Sequence, residues 1–124
     1  MNKVNLVVRI LLGVMMVIFG LNKFMGFMPM PPLPEAANDF FGALGKSGYL
    51  LNVVGAVELI TGVLFLLNKY TALAAVILFP VMLNALMFHI FLAPGAIAPA
   101  LLAIVMNIVV LFANKDKYNS MLQA

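Results

Sequence analysis

Four long apolar runs divide the chain, and most charged residues lie outside them. The runs cover residues 6–24, 49–67, 71–92 and 98–113. Each approaches the roughly 20 residues that a helix needs to cross the hydrocarbon core of a bilayer. A backbone inside lipid must satisfy its own hydrogen bonds, which favours helices there. The pattern therefore predicts an all-α protein with four transmembrane helices.

The segments between the runs predict how these helices are connected. Residues 68–70 and 93–97 are short links, so the helices on either side of each must be antiparallel. The link at residues 25–48 is longer, and its first part holds four prolines, which exclude a regular helix. Its second part places Phe40, Phe41 and Leu44 at helical spacing. We therefore expect a four-transmembrane-helix antiparallel bundle with a short interfacial helix in the first external loop.

The composition agrees with a membrane protein. Hydrophobic residues make up 65% of the chain and charged residues 9%, and the mean hydropathy is +1.16. A soluble domain of this size has too much surface to be built this way. We expect residues 1–124 to form a single membrane domain. Cleavage of the first run as a signal peptide is disfavoured, because Arg9 interrupts it and three further runs follow.

The basic residues predict the orientation in the membrane. Four spans place both termini on one side, which would carry five basic residues against two on the other: Lys3, Arg9, Lys69, Lys115 and Lys117 against Lys23 and Lys46. The positive-inside rule then predicts cytoplasmic termini in a bacterial-type cytoplasmic (inner) membrane, with residues 25–48 outside. These scattered charges form no basic patch, so we expect the lipid bilayer, and no nucleic acid, as a partner.

Glu58 is the most costly residue in the apolar runs. It lies nine residues from either end of the second run, or about 13 Å from each edge of a core about 30 Å thick. An ionised carboxylate at that depth costs at least about 2.5 kcal/mol. Glu58 must therefore be neutral, paired or in a wet cavity. Gly55 and Gly62 share its helix face, so a neighbouring helix can approach closely there.

The first run supplies a candidate neighbour for that face. One narrow stripe of this helix carries a cation at each end, with two glycines and a methionine between: Arg9, Gly13, Met16, Gly20 and Lys23. Arg9 either extends inward and forms a structural ion pair with Glu58 or extends outward to the headgroups. The spacing leaves both alternatives open. Gly13, Gly20, Gly55 and Gly62 are predicted positions of close helix packing.

Six polar side chains are candidates for binding a ligand or handling protons in the outer half of the bundle: Glu58, His89, Asn84, Asn52, Asn107 and Lys23. Ionisable groups inside a membrane are costly, which favours a functional reading of Glu58 and His89. For the asparagines alone, a hydrogen bond that joins two helices is the favoured explanation. Asn84 and His89 lie about 140° apart on their helix, so the six cannot all point one way. No catalytic residue is identified.

The sequence contains few residues that could form a metal site. The chain has no cysteine and one histidine, so thiolate ligands, disulfides and histidine pairs are excluded. Among its ten methionines, Met25, Met28 and Met30 suggest Cu(I). Methionine is also ordinary packing material, and we predict no metal site.

Two segments carry a resemblance to a known family. "RILLGVMMVIFGLNKF" is similar to the first helix of DoxX-like membrane proteins, with its Arg-x₃-Gly and Gly-x₂-Lys elements. "VELITGVLFLLNKYTALAAVILFPVMLNALMFH" looks like the second and third helices of that family. The matching positions are Arg9, Gly13, Gly20, Lys23, Glu58, Gly62 and His89. The turn Lys69-Tyr70 departs from the family, where an arginine is common.

The resemblance implies a four-helix integral membrane protein, and family relatives include a subunit of a thiosulfate:quinone oxidoreductase. One hypothesis is a small accessory subunit of a membrane redox system that binds a quinone-like molecule in the outer-half pocket and works with a redox partner protein. The chain itself shows no electron carrier. The alternative is a non-catalytic scaffold or assembly factor. A proton-coupled transporter is less favoured, because four spans without an inverted repeat are few for alternating access. The sequence leaves open whether the protein forms a homo-oligomer.

Overall fold

A computed structural model describes residues 3–26 and 32–124. It contains five α-helices: α1 (Lys3–Met25), α2 (Glu35–Lys46), α3 (Leu50–Leu67), α4 (Thr71–Leu92) and α5 (Ala98–Ala113). Single 3₁₀ turns follow α4 at Pro94–Ala96 and α5 at Lys115–Tyr118. The described residues contain no β-strand. The prediction of an all-helical protein is confirmed.

Three helices are long and apolar enough to cross a membrane, namely α1, α3 and α4. The helix bounds follow the apolar runs of the sequence closely. The fourth run is the shorter apolar helix α5, whose 16 residues span about 24 Å. That α5 also crosses the membrane stays a prediction. Residues 27–31 of the proline-rich part of the first loop, with Met28 and Met30, lie outside the described residues.

The short helix expected in the first loop is present as α2. Its Ala37 is fully buried and belongs to a small apolar cluster with Phe88 and Ala93. The ring of Phe41 meets the ring of Phe88 edge-on at a centroid distance of 5.1 Å, a favoured aromatic geometry. These contacts attach α2 to the last turns of α4. We call this end of the molecule the α2 end; its position in the membrane interface remains a prediction.

The tight link between α3 and α4 marks the opposite end. Asn68 ends α3 in the left-handed conformation, at φ 53°, which asparagine tolerates better than most residues. Lys69 N donates to Leu64 O at 3.0 Å, and Thr71 Oγ1 donates to Asn68 Oδ1 at 3.0 Å. We call this end the turn end. Tyr118, beyond α5, also lies there, because its hydroxyl donates to Ala72 O at 2.8 Å.

The closest helix pair is α1 with α3, which run antiparallel. Gly13 lies against Gly62, and Gly20 lies against Gly55. A Cβ atom built on Gly20 would stand 2.7 Å from Leu59 N, and one on Gly62 would stand 2.8 Å from Val17 N. Such distances are shorter than real Cβ contacts, so the two backbones touch only because these positions lack side chains. The sequence prediction of close packing at these four glycines agrees with this geometry.

The main core lies where α1 and α3 meet α4 and α5. Its side chains are mostly apolar and fully or almost fully buried, and they include Leu12, Met16, Phe65, Leu78, Met82, Ile104 and Val110. Small residues of α4, Ala74 and Ala75, let the other helices approach it. All four long helices therefore share one core. The outer faces remain apolar and exposed, as expected for helices that meet lipid.

We expect Gly20→Ala to destabilise the fold. Its new methyl group would stand 2.7 Å from Leu59 N and 2.8 Å from Gly55 O, and backbone atoms cannot rotate away. The helices must separate, at a cost of about 1–3 kcal/mol in the free energy of unfolding. Unfolding in mixed micelles, followed by circular dichroism, measures this change.

Gly42→Ala is the matched control. Gly42 lies within α2 and has no atom within 4 Å of a built Cβ. Alanine favours a helix over glycine, so this change should leave stability unaltered or raise it by about 0.5–1 kcal/mol. Equal losses in both variants would contradict the proposed packing.

Candidate functional site

The candidate site is an ion pair between α1 and α3. Lys23 Nζ lies 2.5 Å from Glu58 Oε1. Apart from this ion pair, Glu58 Oε1 has no hydrogen-bond partner in the described structure. The Glu58 side chain keeps 5% of its surface accessible and the Lys23 side chain 19%. Glu58 is therefore buried and paired. The pairing offsets part of the free-energy cost of a carboxylate in an apolar run.

Glycine makes room for this pair. A Cβ on Gly55 would stand 3.0 Å from Lys23 Cβ and 3.1 Å from Phe24 Cε2. The stem of Lys23 thus crosses α3 at the level of Gly55, one turn before Glu58. Gly20, on the facing helix, contacts the backbone of α3 at Leu59. The close approach of the two backbones and the ion pair depend on each other, because the Lys23 side chain passes over Gly55 to reach Glu58.

Arg9 does not contact Glu58, contrary to one of the two sequence alternatives. It is buried, with 7% of its surface exposed, and Arg9 Nη1 donates a hydrogen bond to Phe65 O. This contact is also between α1 and α3, but near the turn end. Arg9 Nε is buried without a hydrogen-bond partner in the described structure. The cation therefore neither pairs with Glu58 nor extends fully outward.

The helix register explains why Lys23 replaces Arg9 as the partner. Gly13 faces Gly62, and Gly20 faces Gly55 and Leu59, so Glu58 lies near the level of Phe19 on α1. Lys23 is four residues from that level, or about 6 Å, and Arg9 is ten residues away, or about 15 Å. The spacing of the glycines in the sequence indicates this register between α1 and α3. Pairing Gly13 with Gly62 and Gly20 with Gly55 already brings Glu58 nearer to Lys23 than to Arg9.

Asn107 is buried in a different place from the one expected. Its side chain has no exposed surface, and Asn107 Nδ2 donates to Ala75 O at 3.1 Å. Ala75 is the fifth residue of α4, so this contact lies in the half of the molecule nearer the turn end. Asn107 therefore joins α5 to α4 and does not share a pocket with Glu58. This correction favours the alternative that asparagines connect helices.

The remaining candidates also stay apart from the ion pair. Asn52 and Asn84 are exposed on α3 and α4. His89 is partly buried, and its Nδ1 lies 2.8 Å from Ala85 O, one turn back in the same helix. Of the six candidates, the described contacts bring together Lys23 and Glu58. The contacts of the described residues do not connect the other four to this pair.

Two surface cavities lie away from the ion pair. One, of about 320 Å³, is at the α2 end between residues 32–34 and 93–96. The other, of about 510 Å³, is at the turn end between α4, α5 and the C-terminal segment, and Lys115 and Tyr118 are among its lining residues. Burial raises the pKa of the Tyr118 hydroxyl. Within the described chain, no three His, Asp or Glu side chains are grouped to hold a metal ion.

Comparison with known proteins places the chain in a family. Residues 4–93 match the family model named DoxX. The chain belongs to the DoxX family. The matched region covers α1 to α4 and includes both residues of the ion pair, together with Arg9 and His89. The family recognised from the two sequence segments is thus confirmed.

A curated relative and the solved structures complete the comparison. The chain is 32% identical over 73 residues to "Putative oxidoreductase CatD" of Bacillus subtilis (strain 168). The aligned part covers 59% of this chain and 49% of the relative, so the chain spans about half the length of that protein. No solved structure matches the chain.

A double-mutant cycle tests the ion pair. Lys23→Met should lower the free energy of unfolding by about 3 kcal/mol, because it leaves a buried carboxylate without a counter-charge. Glu58→Leu should have a similar effect on the lysine. The double variant should recover much of the loss, since neither charge remains. Unfolding in mixed micelles gives all three values.

The same cycle with Arg9→Met and Glu58→Leu is the control. These residues are about 15 Å apart along the helices, so their effects should add within about 0.5 kcal/mol. A larger coupling for Arg9 than for Lys23 would contradict the observed pairing.

Proposed function

We propose that this DoxX-family protein is a small accessory subunit of a membrane redox system and binds the head of a quinone-like, amphipathic molecule at the Lys23–Glu58 pair. The proposal rests on one observation, the buried ion pair between Lys23 and Glu58. A charged couple buried between two membrane-length helices is costly, and such intramembrane groups usually mark a site of binding or proton transfer.

The two side chains differ in a way that suits such a ligand. Lys23 retains 19% of its surface, whereas Glu58 retains 5%, so a ligand would meet the ammonium first. An ammonium has three donors, and those not facing Glu58 can bind a carbonyl oxygen of a quinone. Glu58 would hold the lysine in place and exchange a proton with the ligand's oxygen. The exposed apolar surface of α1 and α3 would accommodate the ligand's tail.

Electrons would come from a partner protein. The chain has no cysteine, so it has no thiol couple of its own. The name of the curated relative in Bacillus subtilis, "Putative oxidoreductase CatD", supports a redox setting for this chain. We therefore propose an accessory role beside a soluble or membrane-bound redox partner.

The proposal also includes a topology. We propose that α5 crosses the cytoplasmic membrane with α1, α3 and α4 in an antiparallel four-helix bundle. The turn end, with Lys69, Lys115 and Lys117, would face the cytoplasm, as the positive-inside rule favours. The α2 end would face outward, with α2 in the interface. The amphipathic sequence of α2 supports this placement.

Cysteine labelling tests the topology. The chain has no native cysteine, so each introduced thiol reports its own position. Ser47→Cys should react with an impermeant maleimide on intact spheroplasts, and Ser120→Cys should react only after lysis. The reverse pattern would invert the proposed orientation.

Ligand binding tests the function. Wild-type protein in detergent should bind a short-chain quinone in calorimetry, and Lys23→Met and Glu58→Gln should each reduce the affinity at least about tenfold, the effect of losing a charged hydrogen bond. Lys69→Met is the matched control, because it removes an exposed lysine at the turn end. Binding that survives both site variants would refute this site.

A structural role is the second candidate, and a specific observation favours it. Arg9 and Lys23 attach α1 to α3 near the two ends of their interface, and the glycine contacts lie between them. Such an arrangement would serve a non-catalytic scaffold or assembly factor. The absence of quinone binding by a folded wild-type protein would favour this candidate.

A further inference from the structure

One side of α4 carries a regular stripe of exposed residues. They recur at alternating spacings of four and three: Leu73, Ile77, Pro80, Asn84, Met87 and Phe91. At about 100° per residue, all six fall within a stripe roughly 80° wide. We call these six residues the α4 seam. Their spacing is that of the a and d positions through which helices of a coiled coil contact each other.

The α4 seam is not used inside the chain. The opposite face of α4, with Ala74, Ala75 and Leu78, packs into the core and is fully buried. The large apolar side chains of the seam remain between 45% and 73% exposed: Leu73, Ile77, Met87 and Phe91. The helix thus has one face for its own bundle and a second, equally regular face that is directed outward.

Asn84 makes lipid an unfavourable neighbour for this face. It is the fourteenth of 22 residues in α4, which places it within about 4 Å of the middle of the helix. Its side chain is exposed, and no hydrogen bond to it exists within the described residues. Lipid tails offer neither donors nor acceptors, so an amide at this depth requires a protein partner.

A second copy of the chain supplies that partner. Copies in one membrane share their orientation, so a two-fold axis along the membrane normal makes their α4 helices parallel and puts both Asn84 residues at one depth. An amide both donates and accepts hydrogen bonds, so two asparagines facing each other satisfy one another. We propose that the α4 seam is a homodimer interface and that the two Asn84 side chains hydrogen-bond across its axis.

Dimerisation measured by energy transfer in lipid bilayers tests this proposal. The full chain would be labelled at Ser120→Cys and diluted with lipid. Asn84→Leu should raise the dimer dissociation constant roughly 3- to 30-fold, the range for an interhelical amide hydrogen bond. Asn52→Leu, which removes an exposed asparagine of α3 outside the seam, should leave it unchanged. A wild-type chain that stays monomeric, or equal constants for the two variants, would overturn the proposal.

Oxidative cross-linking gives an independent test that does not depend on Asn84. Met87→Cys lies on the α4 seam, whereas Ile90→Cys is similarly exposed, with 49% against 47% for Met87, but lies about 60° further round the helix. Because the chain has no native cysteine, every disulfide-linked dimer reports the introduced residue. Met87→Cys should form dimers and Ile90→Cys should not. Preferential cross-linking at Ile90 would place the interface elsewhere and overturn the proposal.

Discussion

The close approach of α1 and α3 is the constraint on which the rest of the structure depends. Where Gly20 meets the backbone of α3, a Cβ would stand 2.7 Å from Leu59 N, so the contact tolerates no side chain. In lipid, helices gain little from hydrophobic burial and associate through close packing and polar contacts. The glycines provide the packing, and they also bring Lys23 within 2.5 Å of Glu58. Packing and ion pairing therefore stabilise the same interface.

Arg9 and Lys23 have unequal surroundings although they lie on the same stripe of α1. Lys23 meets a carboxylate, and its charge is balanced. Arg9 meets only the carbonyl of Phe65, and its Nε lacks a partner in the described structure. A carbonyl offsets less of a buried charge than a carboxylate does. The charge at the Lys23 end of the interface is therefore better balanced than the charge at the Arg9 end. The proposed ligand site lies at the Lys23 end.

The sequence predicted the helices well because lipid restricts the choice of structure. Four apolar runs, joined by three links of which two are short, permit few arrangements, and the helix bounds follow those runs. It left Glu58 neutral, paired or in a wet cavity and offered Arg9 as its partner, although Lys23 lies on the same stripe of α1. The choice depended on the register between two helices, which single residues do not reveal. Asn107 was misplaced for the same reason: its depth depends on α4, through Ala75 O.

The asparagines show how one residue type takes different roles in an apolar bundle. Asn107 is enclosed and donates to a neighbouring helix, and Asn68 ends a helix in a left-handed turn. Asn84 has neither role, because it is exposed near the middle of α4. A polar group is tolerated in lipid when something satisfies it, and the first two asparagines find that partner within their own chain. Asn84 lies on the exposed α4 seam, so its partner is expected from a second copy of the chain.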